Sequence, residues 1–150
     1  MKWEKPTVIA HGDFRFALLI CSELTNIEYR SSLRGQIDAL IVPEWNKDLH
    51  TFESLVESAA LDIHAYIVQA NHLSFGDSRI RAPRANEWER DIVRVRGGIH
   101  DHVVVGEIDY WSLRSHQSAL HVQKGEFKPI PDGFDISPER RRLPKGSNPG

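Results

Sequence analysis

The chain has 150 residues, 40% of them apolar and 27% charged, with a formal net charge of −2. That is enough for one hydrophobic core, and the near balance of charge excludes a bulk basic footprint for nucleic acid or an anionic membrane. Cys21 is the single cysteine, which excludes an internal disulfide and a zinc centre built on paired thiolates.

The longest nearly apolar run, residues 16–21, is far short of the roughly 18 residues that a membrane span requires. The opening residues Met1-Lys2-Trp3-Glu4-Lys5-Pro6 carry no apolar signal core, so the expected compartment is the cytoplasm, whose reducing conditions keep a lone thiol free. Thr7 to Ala10 and Phe14 to Cys21 read as two paired strands around the turn His11-Gly12-Asp13. Thr25, with Glu28 three residues on, reads as the cap of a short helix carrying Tyr29 and Leu33. Residues 37–42 form an apolar strand that Pro43 should end. From Leu49 to His64, the residues Phe52, Leu55, Val56, Ala59, Ala60 and Ile63 recur at helical spacing. Residues 65–70 read as a buried strand, with Asn71 opening a polar loop.

This alternation of strand and helix predicts an α/β layer architecture with right-handed crossovers. Residues 78–82, 91–96 and 103–108 predict three antiparallel strands added at the sheet edge, with Gly97-Gly98 as a hairpin turn. Tyr110 to His121 predicts a closing helix. Residues 1–122 are therefore read as one domain, and the Pro, Gly and Arg-rich residues 123–150 as a tail, with Arg140-Arg141-Arg142 in a solvated end.

Cys21 stands where a strand gives way to a polar turn that opens a helix, a place where donors and the helix dipole favour a thiolate and an oxyanion. Glu23 has the reach to orient a neighbouring amide or to pair with Arg30. Glu44, Trp45 and Asn46 follow the C-terminus of a strand, where open α/β sheets place ligands, and Trp45 is a candidate for lining a substrate pocket. His100 and His102 have strand spacing but lack a third ligand nearby, so no metal site is expected.

The segment from Phe16 through Ile20-Cys21-Ser22-Glu23 to Glu28 and Arg30 resembles the nucleophile segment of the nitrilase, or carbon–nitrogen hydrolase, superfamily. The likeness continues in order through Asp38 to Pro43, Ala59 to Asn71, Gly76-Asp77-Ser78-Arg79-Ile80-Arg81-Ala82-Pro83, and Val105-Gly106-Glu107-Ile108-Asp109. The resemblance implies the second half of an αββα sandwich, with its sheet incomplete in this chain. It also implies hydrolysis of a non-peptide amide bond through a Cys21 thioester, with no metal or organic cofactor.

In that family a Glu acts as general base and a Lys stabilises the tetrahedral intermediate, both upstream of the cysteine. Residues 1–20 contain no matching motif for either, and Ile27 stands where the family has Pro. The expectation is a hydrolase fragment inactive alone, whose partner is a missing N-terminal half, a fused domain or another copy. A second reading is a non-catalytic accessory domain. Residues 81–83, 88–98 and 104–109 resemble the nitrilase-like domain attached to bacterial reverse transcriptases in phage defence, which would contact nucleic acid only through the fused polymerase.

Overall fold

A computed structural model describes residues 4–119 and 125–141. In chain order these form β1 (Ile9–His11), β2 (Phe14–Leu18), a 3-10 turn (Cys21–Thr25), α1 (Ile27–Leu33), β3 (Ala39–Glu44), α2 (Leu49–Ile63) and β4 (Tyr66–Asn71). There follow β5 (Ser78–Arg81), a second 3-10 turn (Glu87–Glu89), β6 (Asp91–Val95) and α3 (Tyr110–Ser118). The strands make one six-stranded mixed sheet in sequential order, with β2, β3 and β4 parallel and β1, β5 and β6 antiparallel. The α/β class read from the sequence is the class observed. Among the described residues no helix is long and apolar enough to cross a membrane.

Each α-helix starts on a short polar side chain that accepts a first-turn N–H, which is what those orphan donors require. Asn26 accepts from Glu28 and Tyr29, Asp48 from Thr51, and Asp109 from Ser112. The cap of α1 is thus Asn26, one residue beyond the expected Thr25. Helix α2 buries Phe52, Val56, Ala59, Ala60 and Ile63 against Ala17, Leu19, Leu40, Val42 and Ile67, with Leu24 and Leu33 closing the same core. This helix face of the sheet carries most of the apolar burial.

Over β5 and β6 the same face turns ionic. Strand alternation puts Arg79, Arg81 and Arg94 on one side, opposite Glu53 and Glu57, one turn apart on α2. Arg79 pairs with Asp77, Glu53 and Asp91; Arg94 with Asp77 at 2.6 Å and Glu53 at 3.1 Å; and Arg81 with Asp91 at 2.7 Å and Glu57 at 3.2 Å.

Three sequence expectations are corrected. Strand β3 does not end before Pro43 but runs through it, paired in register with Ala70. Pairing on the β2 side has already stopped at Leu18 with Ile41, so a proline there removes no ladder bond on that side. Residues 103–108 are not a strand: they have no ladder partner, because beyond β6 the chain leaves the sheet edge and crosses its opposite face. Gly97 therefore does not turn a hairpin but packs on Gly76, and Gly106 lies so close that a Cβ would stand 3.0 Å from Ile80 Cδ1. The third correction is Arg140, which is buried rather than solvated.

The Arg140 guanidinium donates to Gly35 O at 2.6 Å, Gln117 Oε1 at 3.1 Å and Asp38 Oδ1 at 2.8 Å. Asp38, wholly buried, also takes Arg114 Nε at 2.7 Å and Nη2 at 2.5 Å, and the Arg15 N–H at 2.8 Å. Residues 125–141 are thereby tied to the body, with Phe127 buried beside Ala39, Tyr66, Ala82 and Leu113 on the sheet face opposite α2. Helix α3 ends at Ser118 within the described residues, and the expected continuation to His121 lies outside them, as do Arg142 and the rest of the expected tail.

Beside this centre, Gln117 Oε1 is engaged by Arg140, so its amide nitrogen faces His64, reaching His64 O at 2.6 Å and His64 Nδ1 at 3.2 Å. Nδ1 is then the acceptor and Nε2 carries the proton toward Lys128 O at 2.9 Å. Burial above all, with His116 and Arg140 nearby, pushes the His64 imidazole down to about 4, while its bonds to Lys128 O and its own carbonyl act the other way.

Two outcomes follow from this network. Asp38→Ala strands two buried guanidinium groups and should lower the unfolding free energy by about 3–5 kcal/mol, read from urea unfolding. His64 binds its proton more weakly folded than unfolded, so stability is lost as pH falls from about 6.5 to about 4, by up to roughly 3 kcal/mol at ~1.4 kcal/mol per unit. His64→Asn, which tolerates the left-handed backbone at φ 56°, should flatten that slope. Parallel pH–stability curves for the two proteins would refute the assignment.

Candidate functional site

Because β2, β3 and β4 are parallel, their C-terminal ends lie along one edge of the sheet, and the connections leaving them meet there. The order β2-β3-β4 sets the 3-10 turn at Cys21 beside the loop after β3, which in turn lies beside the loop after β4. The Leu19 N–H donates to Ile41 O at 3.0 Å, locking the approach to Cys21 onto β3.

Cys21 is half-buried with a free thiol, and its backbone is left-handed at φ 48°. A non-glycine residue there carries local strain of about 1 kcal/mol or more. Glu23 holds the turn, its Oε2 accepting the Ile20 N–H at 2.7 Å, while Thr25 Oγ1 donates to Ser22 O at 2.7 Å. Glu23 therefore staples the backbone ahead of the thiol, and Arg30 pairs instead with Asp62 at 3.5 Å. The helix dipole expected at Cys21 is displaced: α1 is capped at Asn26, five residues on, and only a single 3-10 turn follows the thiol.

At the end of β3, Glu44 Oε1 accepts from Gln69 Nε2 at 2.5 Å, while Glu44 Oε2 and Gln69 Oε1 are both enclosed without a hydrogen-bond partner. Burial raises the Glu44 carboxyl above the usual range, against the Gln69 bond and the charge of Arg79. Trp45 is 69% exposed. Its ring lies 6.5 Å from His72 and 6.1 Å from Phe75, and Lys47 Nζ sits 5.5 Å from the Phe75 centroid. The Asn46 side chain accepts the Asp48 N–H at 2.9 Å and so shapes the turn into α2.

Sequence reasoning missed the residue that joins these loops. Asn71 Oδ1 accepts the Asn46 N–H at 3.0 Å, and its Nδ2 donates to Asn46 O at 2.9 Å and Gly76 O at 2.8 Å. One side-chain amide thus pins the loop after β3 to the loop after β4. Its position as the last residue of a buried strand was the available signal. Among the described residues no hydrogen bond joins the Cys21 turn to Glu44, Trp45 or Asn46, and no group of three His, Cys, Asp or Glu side chains could hold a metal ion.

No protein-family model matches the chain, and no curated protein sequence matches it. Solved structures do. A Saccharomyces cerevisiae member of branch 10 of the nitrilase superfamily is similar with a TM-score of 0.62 at 23% identity, over 83% of this chain and 48% of that one. A CN-hydrolase superfamily protein of Xanthomonas campestris, with an arsenic adduct in its active site, gives 0.62 at 13% identity over 78% and 48%. A cysteine-to-alanine variant of the Nesterenkonia AN1 amidase from the nitrilase superfamily gives 0.58 at 18% identity over 76% and 45%. The shared feature is the fold, and the chain spans about half the length of the structures it matches.

The strained, half-buried Cys21 should react with iodoacetamide in the folded protein, with mass spectrometry locating the adduct. Cys21→Gly should fold with no loss of stability, since glycine accepts φ 48° freely. Cys21→Val should cost about 1 kcal/mol or more, because a β-branched residue resists that backbone. Labelling only in denaturant would return Cys21 to the core.

Proposed function

We propose that this chain is the nucleophile-bearing half of a nitrilase-type carbon–nitrogen hydrolase, with Cys21 as the nucleophile toward small non-peptide amides. The observation that carries the reading is the backbone at Cys21: a left-handed residue three positions past β2, the first of the parallel strands, with a free thiol, on a fold of nitrilase-superfamily type. A sharp strand-to-turn junction of this kind is a recurrent way to lift a nucleophile clear of its own backbone at a sheet edge.

In the proposed reaction the Cys21 thiolate attacks the amide carbonyl carbon, and the carbonyl π pair moves to oxygen. Collapse of that oxyanion breaks the C–N bond, and a general acid protonates the departing amine, leaving a thioester on Sγ. Water, giving its proton to the same group as base, then releases the carboxylic acid and restores the thiolate. Glu23 positions the turn. Trp45 and Asn46, beside Glu44, border the substrate.

A thiol without a base and a cation lacks two contributions, each worth on the order of a hundredfold or more in rate. The resemblance implies that both lie on a complementary half, which is the partner we propose.

The test is ammonia release from simple amides by the 150-residue chain, and by a protein that restores an upstream Glu- and Lys-bearing half. The chain alone should show no turnover, and the completed protein should show turnover abolished by Cys21→Ala. Steady Cys21-dependent turnover by the chain alone would place base and cation within it and overturn the half-site reading. A completed protein without turnover would favour the non-catalytic accessory role.

A further inference from the structure

The α2 face of the sheet carries two unmatched acceptors at the end of β3. Gln69 lies in register with Val42 on one side and Arg79 on the other. Cross-strand partners share a face, so the Gln69 amide stands between an apolar core residue and a guanidinium. Glu44, two residues beyond Val42, returns to that face by strand alternation. Gln69 is 3% exposed. Its Nε2 donates to Glu44 Oε1 at 2.5 Å, whereas Gln69 Oε1 and Glu44 Oε2 are enclosed with no hydrogen-bond partner among the described residues.

A buried acceptor without a donor is costly, and an ionised carboxylate has no donor to give. Turning the Gln69 amide over would only bring two oxygens into contact. A single proton on Glu44 Oε2 satisfies both atoms, because a neutral carboxyl is donor and acceptor at once and matches a carboxamide edge to edge.

We propose that Glu44 and Gln69 form a neutral acid–amide pair, with Glu44 Oε2 donating its proton to Gln69 Oε1, and that this pair is a pH-sensitive clasp between β3 and β4 at the candidate site. Ionisation removes the shared proton, sets a carboxylate oxygen against Gln69 Oε1 and opens the clasp. The next residue is Trp45, whose loop is also held to β4 through the Asn71 bonds to Asn46. No step of the proposed reaction uses the Glu44 proton, so the clasp is independent of Cys21 chemistry.

The charged groups around the pair are engaged with one another. Arg79, on β5, pairs with Glu53, Asp77 and Asp91, and Arg94, on β6, with Asp77 and Glu53. Arg79 Nε is enclosed without a partner as well, but its one N–H leaves a second acceptor to be served. In the turn after β2, Glu23 accepts the Ile20 N–H; ahead of α2, Asp48 caps its own helix and Lys47 lies over Phe75. Burial is the largest influence on the Glu44 carboxyl and raises it; the Gln69 bond and Arg79 act against burial, and Asp77 with it.

Carbon-13 NMR of the side-chain carboxyls in the whole 150-residue chain, with Glu44 assigned through its own backbone, should show Glu44 titrating above its ordinary 4.5. Holding its proton more tightly folded than unfolded, Glu44 contributes stability that is complete below about 4.5 and is lost as pH rises through the folded value. Glu44→Gln keeps a donor and an acceptor on the same frame, so in urea unfolding it should match the wild type at about pH 4 and exceed it as pH rises. Glu44→Met, of similar bulk with neither group, should lower the folding equilibrium constant at that pH at least about tenfold. His64 titrates in all three proteins and cancels from the comparison. The Trp45 indole N–H signal should shift with the Glu44 midpoint in the wild type and not in Glu44→Gln, where His72, 6.5 Å from the Trp45 ring, still titrates. A Glu44 midpoint at or below 4.5, parallel pH–stability curves for wild type and Glu44→Gln, a Glu44→Met protein as stable as Glu44→Gln, or a Trp45 signal indifferent to Glu44 would each overturn the clasp.

Discussion

A buried carboxylate that must satisfy two buried guanidinium groups sets the conditions for the rest of the fold. Asp38 precedes β3, and its oxygens take Arg114 from α3, Arg140 from the C-terminal segment and the Arg15 amide from β2. Such a centre is costly in desolvation, and it holds only when every partner is delivered in the right geometry. Four parts of the chain, from Arg15 to Arg140, are thereby bound to one register. The Gly35 backbone belongs to the same closure: a Cβ there would collide with Asp135 O, so the C-terminal segment reaches Arg140's pocket only past a glycine.

The ionic ladder over β5 and β6 answers a different constraint. Helix α2 is apolar where it covers the parallel strands and acidic, through Glu53 and Glu57, where it reaches the sheet edge. Arg79, Arg81, Arg90 and Arg94 meet those acids together with Asp77 and Asp91. An aliphatic core at that edge would lie close to solvent, whereas the long arginine stems pack along the strands with their heads paired.

The two ends of the parallel strands have separate tasks. Asp38, His64, Gln117 and Arg140 cluster where β3 and β4 begin, bonded to one another and to the backbone, with Arg140 Nε left enclosed without a partner. Cys21, Glu44 and the Asn71-pinned loops lie where those strands end, with strain at the thiol and two enclosed oxygens left without partners. The buried ion-pair network lies at one edge, and the strained thiol and the enclosed Glu44 oxygen at the other. That is the distribution expected where a rigid scaffold supports reactive loops.

Local periodicity determined much of this in advance. The 3.6-residue repeat of Phe52, Val56, Ala59 and Ile63 specified α2, short apolar runs between turn residues specified β2 to β4, and alternation with β-branched residues specified β5 and β6. That Cys21 stands at the end of the β2 run was legible for the same reason, although β2 itself stops at Leu18, as was the placement of Glu44, Trp45 and Asn46 at the end of β3, whose last residue is Glu44. The α/β class follows from that order of elements. Residues 103–108 show the limit: alternation predicts a strand, but pairing requires a neighbour, and beyond β6 the chain turns across the sheet instead of beside it. Pro43 shows it too, since whether proline breaks a strand depends on whether a partner stands on its N–H side. Arg140 lies in a segment whose composition reads as solvated, and only the arrival of Asp38 and Gln117 from distant elements makes its burial tolerable. The roles of Asn71 and the left-handed backbone at Cys21 belong to the same class. Periodicity is a property of neighbours in sequence, whereas ion pairing, loop pinning and strain arise between segments that meet only after the sheet has assembled.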